Sequence, residues 1–328
     1  MRRVLVAAAL LLLLAAGYGA WRFAHPPMPT GTRTLPVGAA PAGQVTVRFF
    51  GATTLAFGDG RDTVLVDALL SRAGLRQVLF GRVGSEPATV AALLHRAGIA
   101  RASLLLVSHS HYDHVVDAAA VAALTGATVV GSPSTRAVAL GGGLAADRIV
   151  AVGGGERLRA GAFTVTVVRS RHSPDDRVPG AITAPLRQPA AVKDFREGGT
   201  FAFFIEHQGL RIVVHASAGF TPGMYRGVRA DAVLLATGGL SGQPTTYSAA
   251  YWREVVEATG AKLVVPIHWD DFLQPLDRPL QPLRRFMDDI PLTMHRLTPL
   301  AGRDGVTVRY LPVIAPVDLG AAVRAAAR

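Results

Sequence analysis

Leu104-Leu105-Leu106-Val107-Ser108-His109-Ser110-His111-Tyr112-Asp113-His114 decides how this chain is read. Residues 104–107 are uniformly apolar, the pattern of a short strand buried on both faces. They run straight into His109-x-His111-x-Asp113-His114. In an extended segment residues two apart project to the same side, so His109 and His111 can grip one ion. Asp113 and His114, at the start of the next turn, can point at a second ion close by. Imidazole and carboxylate are ordinary zinc ligands at about 2.0–2.2 Å. Three imidazoles packed together without a metal would each need partners for both ring nitrogens. A metal site is therefore the expectation.

Outward from the motif, the pattern is that of an α/β layered domain. Upstream, 45–50, 53–57 and 63–66 read as strands in a meander, the last ending at Asp67, and 88–97 has helical spacing. Downstream, 115–124 and 134–140 read as helices, and 128–131, 148–152 and 163–168 as strands. The polar, Pro- and Gly-containing stretch 169–199 reads as a long loop. Residues 201–205 and 210–215 flank His207-Gln208-Gly209 as a hairpin. Strands follow over 232–236, 262–267 and 306–311, with helices over 249–259 and 280–287.

The 328 residues are 50% hydrophobic and 17% charged, which excludes disorder and allows a large core. Lys+Arg 34 against Asp+Glu 23 leaves +11, nearly all of it arginine, with Lys193 and Lys262 the only lysines. Asparagine is absent, so no N-glycosylation sequon exists. That composition has the look of coding bias, so the charge does not argue for a nucleic-acid partner. Cysteine is absent as well, which excludes disulfides, iron–sulfur clusters, thiolate zinc, a cysteine nucleophile and a lipobox lipid anchor.

At the amino terminus Arg2-Arg3 precede the apolar run 4–16 and then Trp21-Arg22. Residues 1–23 read as a signal peptide or an uncleaved membrane anchor, with 4–21 as the apolar span. Either leaves the arginines cytoplasmic and places the body outside the cytoplasm, in the periplasm or cell envelope. Residues 24–44 are a Pro-rich linker, 45–315 the globular domain and 316–328 a tail. Oligomeric state is left open.

The HxHxDH pattern after an apolar strand resembles the metallo-β-lactamase-fold hydrolases. The resemblance covers essentially the whole body and implies a four-layer αββα sandwich with metals at one edge. It implies two further ligands at strand ends: His172, after 163–168, and His268, in Pro266-Ile267-His268-Trp269-Asp270-Asp271-Phe272. Asp67 matches the family's early aspartate, a hydrogen-bond acceptor for ligand histidines. One departure stands out. Ser217 falls where many members carry an aspartate bridging both metals. Two arrangements then stay open. In one, His109, His111 and His172 hold one ion and Asp113, His114 and His268 the other, similar to the ligand set of subclass B3 lactamases. In the other, the second ion is weak and one metal dominates. The metal would be zinc, one or two per chain, with manganese or iron as alternatives.

Three ligands per ion leave an open position, the mark of a catalytic site. The chemistry implied is hydrolysis by metal-activated water, with Asp113 orienting the nucleophile and relaying a proton. Tyr112 and Arg177 are candidates for touching substrate. His215 is read either as a swing-in ligand or substrate contact, or as a packed strand-end residue. One of the aspartates Asp270 and Asp271, with Asp270 the choice, buttresses His268, the alternative being that they cap a helix. The HWDDF ending and Ser173-Pro174 after His172 look more like lactonases, phosphodiesterases and phospholipase-D-like hydrolases than antibiotic hydrolases. The expected function is an exported hydrolase of an ester, lactone or phosphodiester, with a small-molecule or lipid-like substrate. A B3-like β-lactamase and a non-catalytic metal-binding protein are the alternatives.

Overall fold

A computed structural model describes residues 2–328, with side chains from residue 9 onward. The body begins as an antiparallel meander of β1 (Thr46–Phe49), β2 (Leu55–Gly58) and β3 (Thr63–Val66). Parallel strands follow: β4 (Leu104–Leu106), β5 (Thr128–Gly131) and β6 (Ile149–Ala151). The second half repeats this plan. β7 (Arg157–Ala160), β8 (Phe163–Arg169), β9 (Phe201–His207) and β10 (Leu210–His215) are antiparallel. β11 (Ala232–Ala236), β12 (Leu263–Ile267) and β13 (Thr307–Val308) then add parallel to β10. With β14 (Val317–Asp318), the sheets run β14-β1-β2-β3-β4-β5-β6 and β13-β12-β11-β10-β9-β8-β7. This is the expected αββα sandwich of two mixed sheets flanked by helices.

Burial follows from that layering. β4, β11 and β12 are buried at every residue, because parallel strands are covered on both faces. β1 alternates between half-buried and buried residues. Phe49, Phe57 and Leu105 of the first sheet join Phe163, Phe203 and Val213 of the second in one buried apolar cluster. The parallel strands β3, β4, β11 and β12 deliver Asp67, the 108–114 segment, the 237–243 loop and His268 from their C-terminal ends. That is where ligands bind in open α/β sheets.

The structure corrects several expectations. Residues 280–287 form no helix, because Pro282 lies inside the stretch and lacks an amide donor. The helix runs instead over Ile290–Arg303, started by Pro291 and by Asp289, whose side chain accepts from Leu292 N at 3.2 Å. The 316–328 stretch is not a loose tail. Val317 pairs with Val47 in β14–β1, and the helix Leu319–Ala326 is capped by Asp318. Part of the linker is docked too: Leu35 is buried and its N–H donates to Tyr310 O at 2.8 Å. Residues 157–160, read as no element, form the arginine-bearing edge strand β7.

The amino terminus is helical over Arg2–Ala24, and Leu10–Leu14 are each more than half exposed. The signal or anchor expectation falls in part on residues 1–8, whose side chains lie outside the described residues. Among the described residues no helix is long and apolar enough to cross a membrane.

Candidate metal centre

β4 ends at Leu106, and residues 107–111 leave the sheet before a helical turn over Tyr112–Val115. His111 is the N-cap of that turn, in extended conformation, so the chain changes direction between the first pair of imidazoles and Asp113-His114. Two groups of ligand atoms result. Those of His109, His111 and His172 lie within 4.8 Å of one another, as do those of Asp113, His114 and His268. The groups adjoin: the His109 and His114 ring centroids are 3.8 Å apart. His172 is carried in by the segment after β8, and Gly219 makes room for it. A side chain at Gly219 would put its Cβ 2.0 Å from His172 O.

The donor set fits metal ions. His109 Nε2 is buried and without a hydrogen-bond partner, a costly state that a bound cation relieves. Asp113 Oδ2 lies 3.3 Å from His268 Nε2 and 3.5 Å from His114 Nε2, three donors facing one point. Burial pushes the His109 imidazole well below its usual pKa, helped by repulsion from His114, His172 and His111. Burial and His111 likewise bring His172 down to about 4. Both are thus neutral, as ligand imidazoles must be. Burial opposes charge on Asp113, but His114 and His268 outweigh it and hold the carboxyl well below the usual range. On His114 burial is likewise outweighed, here by the negative charges of Asp113 and Asp67, which raise the ring to about 10 and so favour a proton that a bound cation would displace.

Asp67 sits at the end of β3 with φ +50°, in the left-handed region. Its Oδ2 lies 2.8 Å from His114 Nδ1 and accepts from Thr53 Oγ1 at 2.6 Å and Ser108 Oγ at 2.8 Å. Its Oδ1 accepts from Ser108 N at 2.7 Å. The carboxylate therefore orients His114 so that Nε2 faces the centre. Thr53 has no signal in the sequence; only the close packing of β2 and β3 brings it here.

Asp270 corrects the sequence reading. It touches no imidazole. Its Oδ1 accepts from Ala52 N at 2.6 Å, and its Oδ2 pairs with Arg72 Nη2 at 2.9 Å. Ala52 O in turn accepts from His268 N at 2.6 Å. Asp271, not Asp270, caps the following turn through Leu273 N at 3.1 Å. For His215 the structure selects the packed alternative. Its Nδ1 meets Tyr225 Oη at 2.8 Å and its Nε2 meets Gly219 O at 2.7 Å, so both nitrogens are satisfied in the core. It does not line the cavity and is a packed strand-end residue; burial brings it down to about 4.

The two groups open on a cavity of about 450 Å³. Tyr112, Arg177 and Ser217 line it, and Ser217 Oγ accepts from Ser173 N at 2.9 Å. The 173–178 part of the long loop overhangs the ligands, placing Asp176 Oδ1 3.3 Å from His111 Nε2. Phe272, the 238–243 loop and Asp288 complete the wall. Asp288 was invisible in sequence; it shapes that loop by accepting from Gly239 N at 2.8 Å and Ser241 N at 3.3 Å.

The beta-lactamase superfamily domain family matches residues 62–269, well over half of the chain. The chain belongs to the metallo-β-lactamase-fold metallo-hydrolase superfamily. Solved structures carry the same fold at low identity. Igni18, a metallo hydrolase from the archaeon Ignicoccus hospitalis, is 16% identical with a TM-score of 0.50, covering 84% of this chain and 97% of its own. CmlA, a diiron beta-hydroxylase from Streptomyces venezuelae, is 18% identical with a TM-score of 0.52. That match covers 85% of this chain and 55% of CmlA, so this superfamily member spans about half of CmlA's length. A possible metal-dependent hydrolase from Veillonella parvula is 12% identical with a TM-score of 0.50, covering 85% of this chain and all of that one. A search of the curated proteins gives no match.

Proposed function

We propose that this superfamily member is an exported hydrolase that uses metal-activated water to cleave an ester, lactone or phosphodiester. One observation carries the reading: two adjoining three-ligand groups lie at the same 450 Å³ cavity. His109, His111 and His172, and Asp113, His114 and His268, would hold divalent ions, zinc by the character of the donors, and such ions would supply Lewis-acid activation of water and of the substrate oxygen. The chain's own groups do the rest. Asp113, held ionised by His114 and His268, would orient the attacking water as a hydrogen-bond acceptor and relay its proton to the leaving group. Asp67 keeps His114 in its ligand tautomer. Tyr112 and Phe272, whose rings pack edge to face at 6.3 Å, shield one wall from water, and Arg177 offers positive charge to an anionic substrate.

Export rests on residues 1–23. The unpacked run Leu10–Leu14 of the Arg2–Ala24 helix, each residue more than half exposed, supports a segment meant for lipid or for the export machinery. Arg285 N donates to Phe23 O at 3.4 Å, and Arg285 also lines the cavity, so the apolar helix emerges at the cavity rim. That favours a lipid-like or envelope-derived substrate. The test is turnover of ester, lactone and phosphodiester panels by the purified chain, before and after chelation and after zinc or manganese is returned. Silence across all three classes at full metal occupancy overturns the reading.

A B3-like β-lactamase is the second reading. It is favoured by the ligand set, with serine where a bridging carboxylate would stand. Nitrocefin, penicillin and carbapenem hydrolysis decides it.

A further inference from the structure

We infer that Arg72 and Asp270 form a buried clamp that holds His268 in ligand position, which makes Arg72 a positioning residue for the Asp113, His114 and His268 ion. The inference rests on the metal reading above and adds to it a residue outside the ligand shell. His268 has φ +55° and Ala52 has φ +47°, both non-glycine residues in the left-handed region. Such backbone persists only where surrounding contacts over-determine it. Here the contacts form two hydrogen bonds in series that end in a buried ion pair. His268 N donates to Ala52 O at 2.6 Å. Ala52 N donates to Asp270 Oδ1 at 2.6 Å. Asp270 Oδ2 then pairs with Arg72 Nη2 at 2.9 Å, both side chains being excluded from solvent. Arg72 is itself tied to backbone, donating to Phe50 O at 2.9 Å and Gln274 O at 3.3 Å. It thus joins the turn before β2 to the turn after the ligand.

Gly51 shows how tightly the clamp is packed. A Cβ there would fall 1.9 Å from Arg72 Nη2 and 2.6 Å from Asp270 Oδ2. The planar guanidinium reaches three acceptors at once, which the single ammonium of lysine does not. A bonded chain of this kind fixes the direction of the His268 ring through its backbone rather than through the imidazole. Its loss should loosen one ion and spare the other, because His109, His111 and His172 hang from β4 and β8. A residue serving general stability would affect both ions alike.

The test uses full-length Arg72→Lys and Asp270→Asn. Lysine keeps the charge and asparagine can keep the bond to Ala52 N, so the folded chain survives partial loss of the clamp. Cadmium NMR separates three-nitrogen from two-nitrogen, one-oxygen ligand sets, and zinc competition titrations give each affinity. The ion at Asp113, His114 and His268 should weaken about tenfold or more, and the other by no more than about twofold. In the metal-free variants the His268 amide should exchange at least about tenfold faster, while amides within β4 and β5 keep their protection. Equal weakening of both ions, or unchanged protection of the His268 amide, overturns the inference. A wild-type chain that takes only one ion overturns the two-ion reading instead, and the His268 amide then decides the clamp by itself.

Discussion

Replacing Asp67 by asparagine isolates the charge that orients His114. The shape is kept, and asparagine tolerates the φ of +50° that Asp67 adopts. Of the four donors on this carboxylate, the hydroxyls of Thr53 and Ser108 can turn round and accept from an amide. The other two cannot. Ser108 N meets Oδ1 at 2.7 Å, and His114 Nδ1 meets Oδ2 at 2.8 Å. An asparagine can present its oxygen to only one of them, so the variant orphans a buried N–H or drives His114 to the tautomer with its proton on Nε2. That tautomer cannot ligate. Loss of a charge-assisted hydrogen bond is worth about 1.5–3 kcal/mol. At about 1.4 kcal/mol per decade, that is roughly a 10- to 100-fold loss of affinity for the ion at Asp113, His114 and His268. Zinc competition against a chromophoric chelator reads it directly. An Asp67→Asn chain that binds both ions as tightly as wild type would refute the reasoning.

Chelation should abolish hydrolysis, and zinc or manganese should restore it; activity that survives full metal removal would contradict a metal-activated nucleophile. His215 gives a pH prediction. Its folded pKa of about 4 lies below the free value of about 6.5, so below pH 6.5 the unfolded chain takes up a proton that the folded chain refuses. Its contribution to stability is complete above about pH 6.5 and falls by about 3 kcal/mol as pH drops towards 4. In His215→Phe, urea midpoints at pH 7 and pH 4.5 should draw closer together than in wild type. Leu105 lies fully buried on the strand that carries the motif. Leu105→Ala should cost about 2–5 kcal/mol in urea unfolding, and a loss below 1 kcal/mol would mean that β4 is not the core strand described.

Much of the site was legible because local spacing carries it. An apolar run followed by HxHxDH places four ligand groups at one strand end whatever the rest of the chain does, and the alternation of strands and helices implies the layered fold. The sequence also placed His172 and His268 after their strands, through resemblance. It misjudged what depends on partners distant in the chain. Residues 280–287 have helical apolar spacing, yet Pro282 and its bridge to Asp270 keep them out of a helix, as an irregular segment ending in a turn over 285–287. Residues 316–328 look like a tail because two-residue strands carry too little periodicity to detect, and β14 exists only because β1 offers its edge.

Sequence alone thus determined the ligand chemistry, the absence of thiol chemistry and the layered architecture, since residue type and short-range period set these. Tertiary structure brought His172 and His268 to the 109–114 segment, turned His215 into the core, and made Asp270 act through Ala52 and Arg72. Hydrogen bonds between residues some 200 positions apart have no local signature. They form only when two sheets meet and the buried polar groups must find partners.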